Sequence, residues 1–277
     1  MNFSKCKRVL AYLGLLGSLT ILGGCSQQTK NLMYEGHVFH RILAGQHFTS
    51  TKTPSQKLAK SVLTLNVVNQ LGGLNQIKYN GHGAFVISNN QTNLNANVTS
   101  APYAVNHDDG QGRAYQGDAL LNKTTRQYQN RDQTNNGATN WKPSGFIQRN
   151  NLHTYYKHAY DRGHLLGYAL VGGIQGFNAS ESNQQNIATQ TAWANEAGSS
   201  DSTGQNYYEG LVRQALDQNK TVRYRVTNIY QGNDKVPMGA HIEAKSSDGT
   251  LQFNVFVPNV QSGLQIDYSS GVTTLVK

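Results

Sequence analysis

The spacing of apolar and polar positions divides this chain into an apolar leader, a polar stretch and a longer strand-rich remainder. Residues 9–24 form an uncharged, mostly apolar run. Residues 25–69 then read as a polar tether, broken by a short helix over 56–68 where apolar side chains recur at helical spacing. A turn at Gly72-Gly73 opens a domain over residues 70–277. Strands are predicted over 84–87, 114–121 and 126–128, with Asn- and Gly-rich loops between them and a surface loop over 132–145. Tyr, Leu and Val content predicts two more strands, over 153–158 and 162–170. From Ser202 a helix is expected, capped by Ser202 or Thr203, with Tyr207, Tyr208, Leu211, Val212, Ala215 and Leu216 along one stripe and Glu209 off it. Val222, Tyr224 and Val226 alternate with Arg223 and Arg225, which predicts a strand over 221–230; residues 242–245 and 251–257 supply two more. The pattern gives an α+β domain: a mainly antiparallel central sheet flanked by helices. No internal repeat and no second apolar run long enough to span a membrane occurs.

Composition sharpens this outline. Hydrophobic residues make up only 37% of the chain and Gly, Asn and Gln are abundant, which favours a loop-rich domain on a modest sheet over a helical bundle. The two cysteines, Cys6 and Cys25, both lie at the N-terminal end. The folded domain therefore has no disulfide, no thiolate zinc site and no cysteine nucleophile. Lys5, Lys7 and Arg8 precede the apolar run, as in an export signal. The run ends at Leu22-Gly23-Gly24-Cys25, which resembles the lipobox of bacterial lipoproteins; that resemblance implies acylation of Cys25 after removal of residues 1–24. An uncleaved signal anchor is the alternative, and either one places the domain on the outer face of a membrane.

The formal net charge is +9, and the basic excess is concentrated between Arg113 and Arg162. Tyr115, Tyr128, Trp141, Phe146, Tyr155 and Tyr156 are interleaved there, so this stretch could follow a phosphate backbone and stack on bases; Arg126, Arg131, Arg149 and Lys157 are its candidate contacts. A merely solvated basic surface, or one drawn to anionic lipid, is the competing reading. Gly172-Gly173-Ile174-Gln175-Gly176 lacks the Gly-Lys-Ser/Thr ending of a phosphate-binding loop, and no serine sits in a nucleophile elbow.

Asp161-Arg162-Gly163-His164 carries the sharpest chemistry, read with Asn183, Asn186, Asn195 and Glu209 downstream. A histidine takes a proton from water near neutral pH, an arginine grips phosphate oxygens, and oxygen ligands suit a hard dication. Residues 161–168 resemble the signature of the DNA/RNA non-specific endonucleases, a family of ββα-metal (His-Me finger) nucleases. Residues 183–195 and 204–209 support it, and within the family the chain looks most like the membrane-attached DNA-entry (EndA-type) nucleases of competent Gram-positive bacteria.

The resemblance implies a ββα active-site motif and an exported, membrane-attached endonuclease that hydrolyses DNA, with RNA as a second substrate. It implies magnesium, with manganese as the alternative. His164 would be the general base, Asn195 the direct metal ligand, and Asn183 or Asn186 its rivals under a shifted register. Glu209 would orient a water on the metal, and Arg162 would contact phosphate, although pairing with a carboxylate such as Asp161 is its other reading. Asp161, Asn183, Asn186 and Gln190 would lie behind these groups or touch phosphate, with Asp161 fixing the motif as an acceptor. Roles in DNA uptake, alongside an uptake machinery, or in degrading extracellular DNA follow from the same likeness. A catalytically silent surface DNA-binding protein and a different metal-dependent phosphoesterase are the competing functions.

Overall fold

The computed structural model describes residues 50–134, 136–137 and 139–276, so the leader, Cys25 and the tether up to residue 49 lie outside the described residues. From residue 50 onward the chain is already packed, within a compact unit spanning Phe48–Lys277. The tether expected over residues 25–69 therefore gives way to folded structure some twenty residues early. The Thr51 N–H donates to Ser262 Oγ at 3.0 Å, and Lys52 pairs with Asp201 at 3.1 Å. The helix expected over 56–68 is two: α1 (Gln56–Lys60), capped by the Ser55 hydroxyl, and α2 (Leu65–Gln70), capped by Thr64. The Thr64 side chain accepts from Val67 N–H, which starts a new helix where the periodicity alone continues the old one. Ala59, Val62, Val67 and Leu71 from this segment are buried in the core.

The remaining elements are, in chain order, β1 (Ile77–Tyr79), β2 (Phe85–Ile87), β3 (Tyr103–Asp108), β4 (Ala114–Leu121), β5 (Tyr160–His164), α3 (Tyr168–Val171), β6 (Ile187–Thr191), α4 (Ala192–Glu196), β7 (Gly198–Ser199) and β8 (Ser202–Thr203). Then come α5 (Gln205–Asp217), β9 (Val222–Ile229), β10 (Gly239–Ser246), β11 (Gln252–Pro258), β12 (Leu264–Ile266) and β13 (Thr273–Leu275). Seven strands form one antiparallel sheet in the order β1-β2-β11-β10-β9-β4-β3. The architecture is the expected α+β one. Val222, Tyr224 and Val226 of β9 face the core, while Arg223 and Arg225 point to the other face, where both pair with Asp118 of β4. Period-two alternation thus sorts an ion-pair cluster from an apolar layer along one strand.

Three predicted strands change character. Residues 126–128 run as coil after a 3₁₀ turn at Lys123–Thr125. Residues 153–158 belong to a loop closed by Leu152 N–H to the Lys157 carbonyl and Ala159 N–H to the Arg149 carbonyl, both 2.9 Å, so their apolar side chains pack without a partner strand. The strand expected over 162–170 starts at Tyr160 and stops at His164, because the N–H groups of Leu165 and Leu166 bond to the Asn186 carbonyl and side chain. Thr203 does not cap α5; its hydroxyl accepts from Asn80, and Gly204 takes the cap position.

The strand β5, its partner β6 and the helix α4 form a ββα unit packed against α5 and the sheet. Its anchor is Trp193, wholly buried in α4, with its indole N–H on Ser202 Oγ at 3.1 Å. The ring lies so close to Gly83 that a β-carbon there would come within 2.3 Å of it. Replacing Trp193 by Ala removes the largest side chain of this layer and should lower the unfolding free energy by about 3–5 kcal/mol in urea denaturation. A loss below about 1 kcal/mol would mean the unit does not depend on this packing.

Candidate active site

β5 and β6 form a two-stranded ribbon with Asp161 opposite Gln190, Arg162 opposite Thr189, Gly163 opposite Ala188 and His164 opposite Ile187. A ribbon this short has a second edge that needs hydrogen-bond partners. Side-chain amides provide them. Buried Asn259, just after β11, accepts from Thr191 N–H at 2.7 Å and donates to the carbonyls of Thr189 and Pro237. Buried Asn186 accepts from Leu166 N–H and from the Asn106 amide, both at 2.9 Å, and donates to the Leu166 carbonyl. Asn186, expected near metal or phosphate, is therefore a brace: both its polar ends are spent on the fold. Asn183 is likewise a turn residue, donating to the Asn178 carbonyl and accepting from Gln185 N–H.

His164 ends β5 half-buried, and its Nε2 lies 2.6 Å from Nη2 of Arg131. A guanidinium only donates, so the imidazole accepts through Nε2 and, when neutral, carries its proton on Nδ1. Burial, and then the Arg131 charge, push the imidazole pKa from 6.5 down to about 3. Arg131 is held in turn by the Ala179 carbonyl at 2.9 Å, by Glu181 at 3.7 Å and by the face of Tyr168 at 4.5 Å. The composition of the basic stretch marked Arg131 as a phosphate contact; the fold sets it on the expected base.

Behind His164 runs a chain made of Gln190 and Glu209, both singled out in the sequence, and Gln205 between them, which was not. Gln205 Nε2 donates to the His164 carbonyl at 2.5 Å and to Glu209 Oε1 at 3.1 Å, and its Oε1 accepts from Gln190 at 3.1 Å. Gln190 is therefore a buried support for Gln205. Glu209 also faces Arg213 at 3.5 Å, yet burial keeps its pKa above the ordinary value. Two motif glycines permit this layering. A β-carbon on Gly163 would lie 2.2 Å from Gln190 Oε1, and one on Gly167 would lie 2.5 Å from Glu209 Oε2. The only mark Gln205 left in the sequence was its place one helical turn before Glu209.

At the other end of β5, Asp161 holds Asn195. Its Oδ2 accepts from Asn195 Nδ2 at 3.0 Å, and its Oδ1 faces His158 Nε2 at 2.7 Å. With its nitrogen so engaged, Asn195 presents Oδ1 as its remaining donor, a neutral oxygen ligand that fits a hard dication. Arg162 does not pair with Asp161. It donates to the carbonyls of Trp141 at 2.9 Å and Thr139 at 2.8 Å, and its guanidinium sits 5.4 Å from the Phe146 ring centroid. This ties the 139–141 loop to the ribbon.

The other basic candidates divide. Arg126 is 8% exposed, stacked on Tyr128 and 3.4 Å from Asp217, so it is a structural cation and not a free phosphate contact. Arg149 and Lys157 are exposed on the loop that precedes β5, with Lys157 donating to the Thr154 carbonyl at 2.7 Å.

A family profile described as DNA/RNA non-specific endonuclease matches residues 80–275. Among solved structures, NucA from Streptococcus agalactiae with a magnesium ion bound is similar with a TM-score of 0.72 and 46% sequence identity, over 77% of this chain and 99% of that one. The same nuclease with no metal bound gives a TM-score of 0.69 and 45% identity, over 78% of this chain and 100% of that one.

The depressed pKa of His164 makes a stability claim with a definite sign. The unfolded chain binds a proton at this residue below pH 6.5 and the folded one does not until about pH 3. Stability from keeping it neutral is thus complete above pH 6.5 and is lost as the pH falls towards 3. Thermal melts of wild type should drop more steeply between pH 7 and pH 4 than those of His164→Gln. Equal slopes would show that His164 titrates normally in the folded state.

Proposed function

The chain belongs to the DNA/RNA non-specific endonuclease family and is a metal-dependent nuclease, and on that premise we propose the following reaction. The observation that carries it is the position of Arg131, a cation suited to phosphate, on the one ring nitrogen of His164 that holds a lone pair. A phosphodiester entering beside His164 offers Arg131 an anionic acceptor, which binds a guanidinium more strongly than a neutral imidazole does. As Arg131 turns to the phosphate, Nε2 is freed to take a proton from the attacking water. The water oxygen bonds to phosphorus, the bond from phosphorus to the 3′-oxygen breaks, and that oxygen takes a proton from solvent water, leaving a 5′-phosphate and a 3′-hydroxyl. Asn195 Oδ1 would hold a magnesium ion, whose positive charge would stabilise the crowded phosphorus and the leaving oxygen.

The chain's own residues prepare this exchange. Asp161 fixes the amide of Asn195, and Gln205 couples the end of β5 to Glu209, so a carboxylate lies one amide away from the base. Arg162 holds the 139–141 loop and acts by positioning. Arg149 and Lys157, free of ion pairs among the described residues, are placed to meet a polymer backbone along the approach to β5.

We extend the proposal to the cell. The leader and Cys25 fit an enzyme exported and held at the outer face of the membrane, by a lipid on Cys25 or by an uncleaved anchor. DNA is its substrate, RNA a second one, and uptake or degradation of external DNA the process it serves. No helix among the described residues is long and apolar enough to cross a membrane.

Plasmid cleavage by the chain lacking residues 1–24 tests the reaction. Wild type should nick and then degrade plasmid with magnesium and stop with EDTA. His164→Ala should lose roughly 10²–10⁴-fold in rate while still retarding DNA on a gel, and Asn195→Ala should lose magnesium-supported cleavage. Cleavage that survives His164→Ala would assign the base elsewhere. Retardation without any wild-type cleavage would leave only a DNA-binding protein.

A further inference from the structure

We propose that His158, Asp161 and Glu196 form a second divalent-metal site, selective for zinc-like transition metals over magnesium and separate from the position proposed at Asn195. The three residues come from three local elements: the loop before β5, β5 itself and the last residue of α4. One ligating atom from each lies within 4.8 Å of the others. His158 Nε2 is 2.7 Å from Asp161 Oδ1 and 3.3 Å from Glu196 Oε1. Ligands about 2.0–2.1 Å from a tetrahedral zinc ion stand about 3.3 Å apart, so one edge of the tetrahedron is already formed. The shorter edge, His158 to Asp161 at 2.7 Å, must open by about 0.6 Å, which half-buried His158 on its loop can accommodate.

The donor set decides the metal. An imidazole nitrogen with two carboxylates suits zinc, cobalt, nickel and manganese, whereas magnesium prefers oxygen alone and keeps most of its waters. The geometry also connects the site to catalysis. Asp161 offers Oδ1 here while its Oδ2 holds the Asn195 amide, so a dication bound by His158 and Glu196 shares one carboxylate with the residue proposed to hold magnesium. Zinc occupancy places positive charge next to that position and weakens magnesium there, making the cluster an inhibitory site.

Cobalt(II) is the probe, because its visible absorption reports coordination without any activity readout. The full chain, in detergent, is stripped with EDTA after alkylation of Cys6 and Cys25, then titrated with cobalt and back-titrated with zinc. Wild type should take up one cobalt per chain with visible bands that zinc abolishes and millimolar magnesium does not. His158→Ala and the milder Glu196→Gln should each weaken uptake more than about tenfold, with unchanged circular dichroism. Asn195→Ala should bind cobalt as wild type does. Absence of saturable binding by wild type overturns the proposal, as does binding that Asn195→Ala abolishes and His158→Ala leaves intact. Magnesium-supported plasmid cleavage is read separately, so failure of the cobalt titration leaves the nuclease reading standing, and failure of cleavage leaves this one.

Discussion

Everything in the site depends on how a ribbon of only two strands satisfies its backbone. β5 and β6 pair with each other and not with the main sheet, so the outer edge of β6 would expose buried polar groups to an apolar layer. Asn259 closes that edge at Thr191 and Thr189, Asn186 closes the turn after His164, and Gln261 continues the seal by accepting from Trp193 N–H at 3.0 Å and donating to the His158 carbonyl at 2.9 Å. An unpaired buried amide costs about 1–3 kcal/mol, so each of these side chains fixes the ribbon more firmly than one net hydrogen bond would suggest. The result is a braced bar with His164, the proposed base, at one end and Asn195, the proposed oxygen ligand, near the other.

The electrostatics of the bar are opposed in a useful way. His164 is kept neutral by burial and by Arg131, while Glu209, one amide away through Gln205, is pushed in the direction that favours its protonated form. The imidazole is in the neutral form that a base requires, but its proton affinity is held down by burial and by Arg131, and its lone pair is covered by that guanidinium. The base is thus correctly protonated and blocked at once. In the proposed reaction the cation that blocks His164 also grips the substrate, so arrival of phosphate and exposure of the base would be one event. Such coupling needs no large motion, only exchange of one donor between two acceptors.

How much of this could be read from the sequence follows from where each residue's role is encoded. Asp161 to His164 are contiguous and chemically unusual together, so the proposed base stands out in the sequence, and Asn195 and Glu209 stand out only as candidates beside it. Alternation exposed β9 because one face is apolar and the other carries Arg223 and Arg225. β6 was invisible as a strand, since Ile187, Ala188, Thr189, Gln190 and Thr191 are all buried and show no alternation. The bracing amides were hidden by abundance: in a chain rich in Asn and Gln, nothing local separates Asn186 from a ligand or Asn259 from a loop residue. Arg131 and Arg126 look alike in sequence, yet long-range packing sends one to His164 and the other to Asp217.

The most direct test of the account is the protonation and tautomer of His164 by long-range nitrogen–proton NMR, without metal, before and after addition of DNA. The ring should be neutral and protonated on Nδ1 throughout the ordinary pH range, with an Nε2 resonance that shifts when DNA draws Arg131 away. A ring that titrates near 6.5 in the free protein, or an Nε2 signal indifferent to DNA, would contradict it.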